Sequence, residues 1–243
     1  MTNVKGKWAL ITGASRGLGR LMAIFMAQQG CNLVLHSRSA KSMGTLVDEI
    51  KALGVEAYAV EAELSDLDSV GAMLDTIENN GTQIDILFNN AGFQIAYRSG
   101  IWDTPADDYT KSFVVNTTAP MMICYRLIPS MIERGFGRVI NTTSGIMNDP
   151  YQAGYSASKA ALDKVTNDLA TQTNGTDVMI NLVDPGWCRT DLGGPNAPNA
   201  PEDAIPGMVV GAFVNDKKSG RLFRAQDYKG MDIIAAVEKA ENM

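Results

Sequence analysis

The stretch Trp8-Ala-Leu-Ile-Thr-Gly-Ala-Ser-Arg-Gly-Leu-Gly19 decides the fold of this chain. Its apolar beginning, Trp8 to Thr12, predicts a short buried strand, and the apolar positions from Leu21 to Met26 predict a helix directly after the glycines. A strand, a glycine-rich turn and a helix in this order are typical of dinucleotide-binding sites. The glycines let the backbone approach a pyrophosphate closely, and the helix N-terminus turns unpaired N–H groups and a positive dipole end toward it.

The glycines of this stretch follow the spacing Gly-x-x-x-Gly-x-Gly, which differs from the common Gly-x-Gly-x-x-Gly. The dinucleotide interpretation therefore depends on the flanking strand and helix, and the alternative is that the glycines only form a tight turn. The residues of this stretch that we predict to contact a cofactor are Gly13, Ser15, Arg16, Gly17, Leu18 and Gly19.

The end of the second apolar run, Cys31 to Arg38, indicates which dinucleotide is bound. In NAD-binding sites an acidic residue about 20 positions after the glycines binds the ribose hydroxyl, whereas an arginine there accommodates a 2′-phosphate. Arg38 lies 19 residues after Gly19, and positions 36–40 contain no Asp or Glu. Arg16, in the glycine turn, can approach the same phosphate from the other side. The two arginines favour NADP(H), although either one alone could be a solvated surface charge.

Predicted strands and helices alternate along the rest of the chain, which indicates an α/β fold in a single domain spanning residues 1–243. Four prolines lie among Gly, Asn and acidic residues between residues 193 and 207, which predicts a loop. Because a loop of this length is usually functional, we expect residues 188–215 to cover a substrate. The later strands are predicted at 55–61, 84–88, 138–143, 177–183 and near 221–224, and the helices at 48–53, from 65, at 104–134, at 155–173 and once within 208–243.

Composition and charge exclude several classes of protein. The 243 residues, 45% of them apolar, suffice for a buried core. A net charge of -6 and a pI near 4.8 argue against binding to nucleic acid or to an anionic membrane, because both would be repelled. Three widely spaced cysteines and one histidine indicate neither a disulfide framework nor a metal site. No run approaches the roughly 20 apolar residues of a membrane helix, and residues 1–7 carry no signal core, so we expect a cytosolic protein.

Tyr155 and Lys159 are four residues apart, so a helix that begins at Tyr155 places both side chains on one face. A free phenol has a pKa of about 10, and a neighbouring ammonium favours the phenolate and lowers that pKa toward the neutral range. Ser144, at the end of a predicted strand, can hold a substrate oxygen against the Tyr155 hydroxyl. The three side chains suit proton transfer to or from a carbonyl oxygen.

Two of these features have structural alternatives. A Tyr-x-x-x-Lys pair also occurs by chance in helices, where the ring stacks along the lysine stem. Asn116 lies in the middle of an apolar helical stretch, and a buried amide needs hydrogen-bond partners. It is either a satisfied core amide or part of a bulge that holds a water next to the active site.

Taken together, these motifs resemble the short-chain dehydrogenase/reductase family over residues 5–190. The glycine turn is similar to the family's cofactor loop, Asn89-Asn-Ala-Gly92 to its fourth-strand signature, and Pro185-Gly-x-x-x-Thr190 to its nicotinamide contact. The resemblance implies a doubly wound Rossmann fold, with seven parallel strands in the order 3-2-1-4-5-6-7. It also implies assembly into homotetramers or homodimers.

The resemblance assigns roles to individual residues. Tyr155 would be the acid-base, Lys159 would bind the nicotinamide ribose and tune Tyr155, Ser144 would position the substrate carbonyl, and Asn116 would hold a relay water. The cofactor itself transfers the hydride. Further cofactor contacts are implied at Asn89, Ala91, Gly92, Pro185, Gly186, Cys188 and Thr190.

This chain departs from the family pattern at three places. Glu63 replaces the Asp that usually contacts the adenine, so the contact is altered or is made by the Leu64 backbone. Ser144 and Tyr155 are eleven residues apart, which is shorter than is common, so the loop at 147–152 can pack differently. The C-terminal third matches least, and its run from Thr190 to Pro198 is faintly similar to carbonyl reductases of the family.

The sequence thus predicts an NADP(H)-dependent oxidoreductase that reduces a ketone or aldehyde, or oxidises the corresponding alcohol. The alternatives are an NAD-linked sugar or sterol dehydrogenase on the same fold and a non-catalytic cofactor-binding scaffold, although the complete tetrad argues against the scaffold. Loop residues that follow strand ends would line the substrate pocket with Ser144, unless they serve only loop packing. They are Gln94, Met147, Gln152 and Trp187.

Overall fold

Seven parallel strands form one sheet in the order β3-β2-β1-β4-β5-β6-β7 in a computed structural model that describes residues 1–243. This order confirms the predicted one. The central strands are buried on both faces, which is why their sequences are continuous apolar runs. The strands are β1 Trp8–Ile11, β2 Asn32–Ser37, β3 Ala57–Glu61, β4 Ile86–Asn89, β5 Gly137–Thr142, β6 Val178–Asp184 and β7 Leu222–Arg224.

Helices cover both faces of this sheet, so that one hydrophobic cluster lies on each side. On one face α1 packs against α2 and α7, and α7 packs against α8; on the other α3 packs against α5, and α4 against α6. The helices are α1 Gly17–Gln28, α2 Gly44–Ala52, α3 Leu67–Asn79, α4 Ala106–Phe113, α5 Ala119–Arg134, α6 Ala153–Ala170, α7 Pro201–Val210 and α8 Ile233–Glu241.

The strand order reverses between β1 and β4, and this reversal opens a crevice at the carboxyl ends of the strands. Three of the predicted site segments start there: the glycine turn follows β1, Asn90 follows β4 and Ser144 lies two residues beyond β5. Pro185 follows β6 on the same edge. The topology therefore places every motif of the sequence at one edge of the sheet.

The prediction of a loop over residues 188–215 is wrong for its second half, because residues 201–210 form α7. Pro201 occupies the first turn of this helix, where its missing N–H removes no bond, and Glu202 and Asp203 favour the same helix N-terminus through the dipole. Met208 is completely buried. The segment belongs to the core, so only residues 188–200 remain available to cover a site.

The predicted helix over residues 104–134 is broken in the middle by a π-helical turn, Val114–Thr118, between α4 and α5. Asn116 lies in this turn, so the bulge that the sequence analysis considered is present. The helix that carries Tyr155 begins at Ala153, two residues earlier than predicted.

No helix combines the length and the apolar character that crossing a membrane requires. No group of three or more His, Cys, Asp or Glu side chains is placed to hold a metal ion.

A buried guanidinium near the amino end of β5 bonds to three separate parts of the chain. Arg138, in β5, is completely buried and donates to Val214 O at 3.1 Å, to Asp177 O at 2.7 Å and to Thr2 Oγ1 at 3.1 Å. It also pairs with the Asp177 carboxylate at 2.9 Å. One side chain therefore satisfies acceptors from three separate segments of the chain.

We expect Arg138→Met to lower the free energy of unfolding by about 3 kcal/mol, because it leaves a carboxylate and several acceptors without their charged donor. Urea titration followed by circular dichroism measures this change. The matched control is Arg224→Met, an exposed arginine of β7, which should change the stability by less than about 0.5 kcal/mol. Equal effects of the two substitutions would contradict the role of Arg138.

Candidate active site

The glycine turn after β1 accepts only glycine at three positions. Gly13 and Gly17 have φ values of +67° and +54°, in the left-handed region that side chains disfavour. A Cβ at Gly19 would lie 2.2 Å from Gly13 O, which is closer than atoms can pack. The turn is therefore folded tightly against the start of α1, as the sequence predicted.

The N-terminus of α1 is left free for a ligand. Its capping residue, Arg16, is extended and offers no side-chain hydrogen bond, and the first turn contains no acidic residue. By contrast, α3 is closed by Asp66, whose carboxylate accepts from Asp68 N and Ser69 N. Unpaired N–H groups next to an arginine fit an anion such as a pyrophosphate. The half-buried Ser15 and Leu18 flank these N–H groups.

Thr12 joins the glycine turn to the end of β4. Its Oγ1 accepts from Asn90 N and Ala91 N, both at 3.0 Å, and Asn90 Nδ2 donates to Thr12 O at 2.9 Å. The sequence analysis did not single out either side chain, although both lie inside its quoted motifs. Their polar character next to glycines is the signal that could have identified them.

Arg38 and Glu63 lie near each other at the ends of β2 and β3. Burial opposes the charge of Glu63, but hydrogen bonds from Ser65 and the charges of Arg38 and Lys111 outweigh it, so the pKa of Glu63 lies below its ordinary value. The Glu63 carboxylate accepts from Ser65 N and Oγ at 3.0 Å each. One oxygen of this carboxylate, Oε1, is thus occupied, and the altered adenine contact at this position stays a prediction. Arg38 is exposed, whereas Leu64 is buried.

The segment after β6 lies against the glycine turn. The Thr190 methyl carbon would lie 3.4 Å from a Cβ at Gly17, and Arg16 Nη1 is 2.9 Å from Asp191 Oδ2. Cys188 is buried and donates from Sγ to Pro185 O at 3.3 Å. The structure thus brings two predicted cofactor-binding motifs together, although they are about 170 residues apart in the sequence. Gly186, after β6, and the exposed Gly92, after β4, lie at the same edge of the sheet.

Helix α6 carries Tyr155 and Lys159 on the face that packs against the end of β5. Lys159 is only 3% exposed, and its Nζ donates to Thr142 O at 2.7 Å. Tyr155 is buried, and the Ser144 side chain lies close enough to its phenol to lower the phenol pKa. The structure therefore brings the three side chains together, with the ammonium held inside the protein.

The predicted effect of Lys159 on Tyr155 is wrong for this chain on its own. Burial raises the pKa of Tyr155 above its ordinary value, the Ser144 hydrogen bond lowers it, and the nearby Asp184 carboxylate raises it again. Burial also lowers the pKa of Lys159, to about 8, against an opposing contribution from Asp163. Desolvation disfavours both charged forms, and the Lys159 charge is not among the causes that act on the Tyr155 phenol.

Asn116 is completely buried and fully bonded. Its Oδ1 accepts from Phe93 N at 2.8 Å, and its Nδ2 donates to Phe93 O at 2.8 Å and to Ser158 Oγ at 3.0 Å. A Cβ at Gly92 would lie 3.7 Å from Asn116 Oδ1 and 3.8 Å from Lys159 Nζ. Asn116 is thus both a satisfied amide and part of a bulge, and it lies next to the buried lysine.

The predicted substrate residues divide into two groups. Met147 is 77% exposed and Trp187 is 59% exposed, with the indole Nε1 donating to Gly193 O at 2.7 Å. Gln94 is half-buried. Gln152, however, has no exposed surface, and its Nε2 donates to Ile95 O at 3.0 Å. Its predicted contact with substrate is therefore wrong, because its side chain fastens the loop after β4 to the start of α6.

The side chain of Asn89 also lies away from the crevice. It is buried and donates to Asn141 Oδ1 at 2.8 Å and to Pro120 O at 3.3 Å. The amide joins β4 to β5 and α5, so only the backbone of Asn89 is left for the predicted cofactor contact, which stays a prediction.

The sequence analysis did not identify three further polar residues around the site. Asp184 accepts from Gly186 N at 2.9 Å, and its charge acts on Tyr155. Asp163 follows Lys159 by one helical turn. His36 joins β2 to the glycine turn. The first directly precedes Pro185 and the second shares the spacing of Tyr155 and Lys159, so both could have been noticed.

The chemistry of the assembled site is limited to a few steps. A buried phenol beside a serine hydroxyl can give a proton to a carbonyl oxygen or take one from an alcohol. The free helix N-terminus, the glycine turn and two arginines can hold a phosphorylated dinucleotide. The exposed Met147 and Trp187 offer apolar surface beside them.

Comparison with known proteins identifies the same family that the sequence motifs resemble. A family model for short chain dehydrogenases matches residues 7–200. A 3-oxoacyl-[acyl-carrier-protein] reductase of Synechocystis sp. is 34% identical over 195 residues, which cover 79% of this chain and 78% of that protein. A short chain dehydrogenase of Pseudocercospora fijiensis is 35% identical over 206 residues, which cover 83% of this chain but only 64% of the fungal protein. The crystal structure of a metagenomic short-chain oxidoreductase in complex with NADP has a TM-score of 0.79 and 27% identity, over 92% of this chain and 99% of the other.

His36 is held as a neutral ring behind the glycine turn. Its Nδ1 accepts from Gly13 N at 3.2 Å, and its Nε2 lies 3.1 Å from Ala62 O, so the proton belongs on Nε2. Burial lowers the pKa of His36, and the Ala62 carbonyl and the Glu63 charge only partly oppose this effect. Protonation of Nδ1 would remove the acceptor of Gly13 N.

We expect acid to weaken the fold through His36. The unfolded chain, with a histidine pKa of about 6.5, binds the proton before the folded one does, so the free energy of unfolding falls as the pH drops below that value, by up to about 1.4 kcal/mol per pH unit. In His36→Asn the amide oxygen keeps an acceptor near Gly13 N but cannot titrate. Chemical unfolding at pH 7 and pH 5 should therefore show a smaller loss in this variant than in the parent, and an equal loss in both would contradict the assignment.

Proposed function

The chain belongs to the short-chain dehydrogenase/reductase family, and we propose that it is an NADP(H)-dependent reductase that acts on a ketone or aldehyde. The observation that carries this proposal is the contact between Ser144 and Tyr155 in the crevice, with the phenol held in its neutral form. A neutral phenol is the form that donates a proton to a carbonyl oxygen. The bound dinucleotide supplies the hydride.

The arginine at the end of β2 supports NADP(H) rather than NAD. Arg38 is exposed at the end of β2, whereas Arg16, the residue that caps α1, pairs with Asp191 at 2.9 Å and would have to leave that carboxylate to reach a phosphate. Two carboxylates lie near Arg38, and each already accepts hydrogen bonds: Glu63 accepts from Ser65 through Oε1, and Glu61 accepts from Ala40 N at 2.9 Å. A guanidinium that is free to fork onto a phosphate suits the 2′-phosphate of NADP(H).

On the protein side, Ser144 and Tyr155 orient the carbonyl oxygen, and Lys159 lies directly behind them against β5. Burial excludes water from the phenol, which strengthens the hydrogen bonds made in the site. Met147 and Trp187, at the mouth, provide apolar surface for the substrate. Assembly into homo-oligomers and a cytosolic location stay predictions.

Tyr155→Phe should lower the rate of carbonyl reduction by about 100-fold to 10,000-fold, because the variant lacks the proton that stabilises the product alkoxide. Loss of NADPH absorbance over a panel of ketones and aldehydes measures the rate, and fluorescence quenching shows that NADPH still binds. Tyr125→Phe, which changes an exposed tyrosine of α5, serves as the control and should retain full activity. Full turnover by Tyr155→Phe would contradict the proposed mechanism.

Arg38→Asp should exchange the cofactor preference. Removal of a charged hydrogen bond to the 2′-phosphate weakens NADPH binding by about 10-fold to 100-fold, while the new carboxylate can bind the ribose hydroxyls of NADH. Dissociation constants for both cofactors, measured by calorimetry, test this expectation. Arg126→Gln, which removes an ion pair with Asp75 and Glu78 away from the site, should change neither constant. A parent protein that binds NADH more tightly than NADPH would contradict the cofactor assignment.

A further inference from the structure

An ion pair joins the start of α1 to the segment that follows β6. Arg16 Nη1 lies 2.9 Å from Asp191 Oδ2. Arg16 directly precedes α1 but makes no side-chain hydrogen bond that caps this helix. The guanidinium next to the predicted anion site is therefore paired with a carboxylate of the protein itself.

The backbone that carries the Asp191 carboxylate is ordered by hydrogen bonds on both of its sides. Thr190 N donates to Cys188 O at 2.9 Å, and Gly194 N donates to Thr190 O at 2.8 Å. Gly193 N also donates to Thr190 Oγ1 at 3.1 Å. Because the turn is already fixed, the ion pair with Arg16 needs little further ordering of the chain on the carboxylate side.

The other arginines close to this pair have partners of their own. Arg189, two residues before Asp191, donates from Nη1 to two carbonyl oxygens of its own loop, at 3.1 Å and 2.8 Å. Arg20, one turn after Arg16 on α1, pairs with Glu49. The Asp191 carboxylate is thus directed at Arg16.

A phosphate that binds Arg16 must displace this carboxylate. The two side chains are 65% and 69% exposed, so the pair is solvated and can exchange partners. A phosphate carries more negative charge and more acceptor oxygens than a carboxylate, and it binds a guanidinium more strongly. The loss of the Arg16–Asp191 pair is then subtracted from the free energy of binding. NADH lacks the 2′-phosphate and does not meet this cost.

We propose that Asp191 is a specificity-determining residue, which competes with the 2′-phosphate of NADP(H) for the Arg16 guanidinium. It weakens NADPH binding while leaving NADH binding unchanged, and it acts through Arg16 without touching the cofactor. The inference rests on the NADP(H) assignment of the proposed function.

Dissociation constants for NADPH and NADH, measured by calorimetry at low salt, test this competition. Asp191→Asn should lower the constant for NADPH by about twofold to fivefold, the range of an exposed ion pair, and should not change that for NADH. Asp191→Glu keeps the charge and should keep most of the parent's value. Asp203→Asn, which removes the partner of Lys229 in α7, is the matched control and should change neither constant.

A double-mutant cycle with Arg16→Gln shows whether the carboxylate acts through the guanidinium. In the Arg16→Gln protein, Asp191→Asn should leave the dissociation constant for NADPH unchanged, because the residue for which Asp191 competes is gone. A carboxylate that repelled the anionic cofactor directly would weaken binding in both proteins, and its removal would tighten binding in both.

Three results would each overturn the proposal: an unchanged constant for NADPH in Asp191→Asn, an equal gain in the Arg16→Gln protein, or an equal gain for NADH. The constants are measured without turnover. A protein that gives the expected constants but reduces no carbonyl compound would therefore contradict the proposed reduction and leave the role of Asp191 standing.

Discussion

Burial of one face of α6 against the end of β5 is the constraint on which the rest of the site depends. It brings Tyr155 into contact with Ser144 and fixes Lys159 through its bond to Thr142 O. The same burial disfavours every charge on that face, so the phenol stays neutral and the lysine is only moderately basic. The carboxylate charges make smaller contributions: Asp184 raises the pKa of Tyr155 further, and Asp163 opposes the lowering of the Lys159 pKa.

The cofactor half of the site depends on a different constraint, the space that glycine leaves. Gly13, Gly17 and Gly19 fold the turn so tightly that the N-terminus of α1 faces the crevice without a cap. His36 and Thr12 then hold this turn from behind, by hydrogen bonds to Gly13 N and to the segment after β4. A preformed anion site next to a buried proton donor is what a hydride-transfer enzyme requires of its protein part.

Much of this could be predicted from the sequence, because apolar periodicity and glycine spacing are local signals. They predicted the alternating strands and helices, the glycine turn and the shared helix face of Tyr155 and Lys159, whereas the strand order was implied by the family resemblance. The errors have physical reasons. Proline breaks a helix interior but also begins helices, so the run containing Pro201 was interpreted as a loop when it forms α7. Burial is a property of the whole fold, so spacing alone could not show that Gln152 and Asn89 point inward or that burial raises the pKa of the Tyr155 phenol.

The central claim is that burial keeps the Tyr155 phenol protonated in the protein when no cofactor is bound. The measurement that tests it most directly is the titration of Tyr155 by NMR on protein carrying ¹³C at the tyrosine Cζ, with Tyr155→Phe to assign the resonance. We expect a midpoint above the ordinary tyrosine value of about 10, since burial and Asp184 both disfavour the phenolate. A midpoint near neutral pH in the free protein would contradict this account and would mean that Lys159 controls the phenol after all.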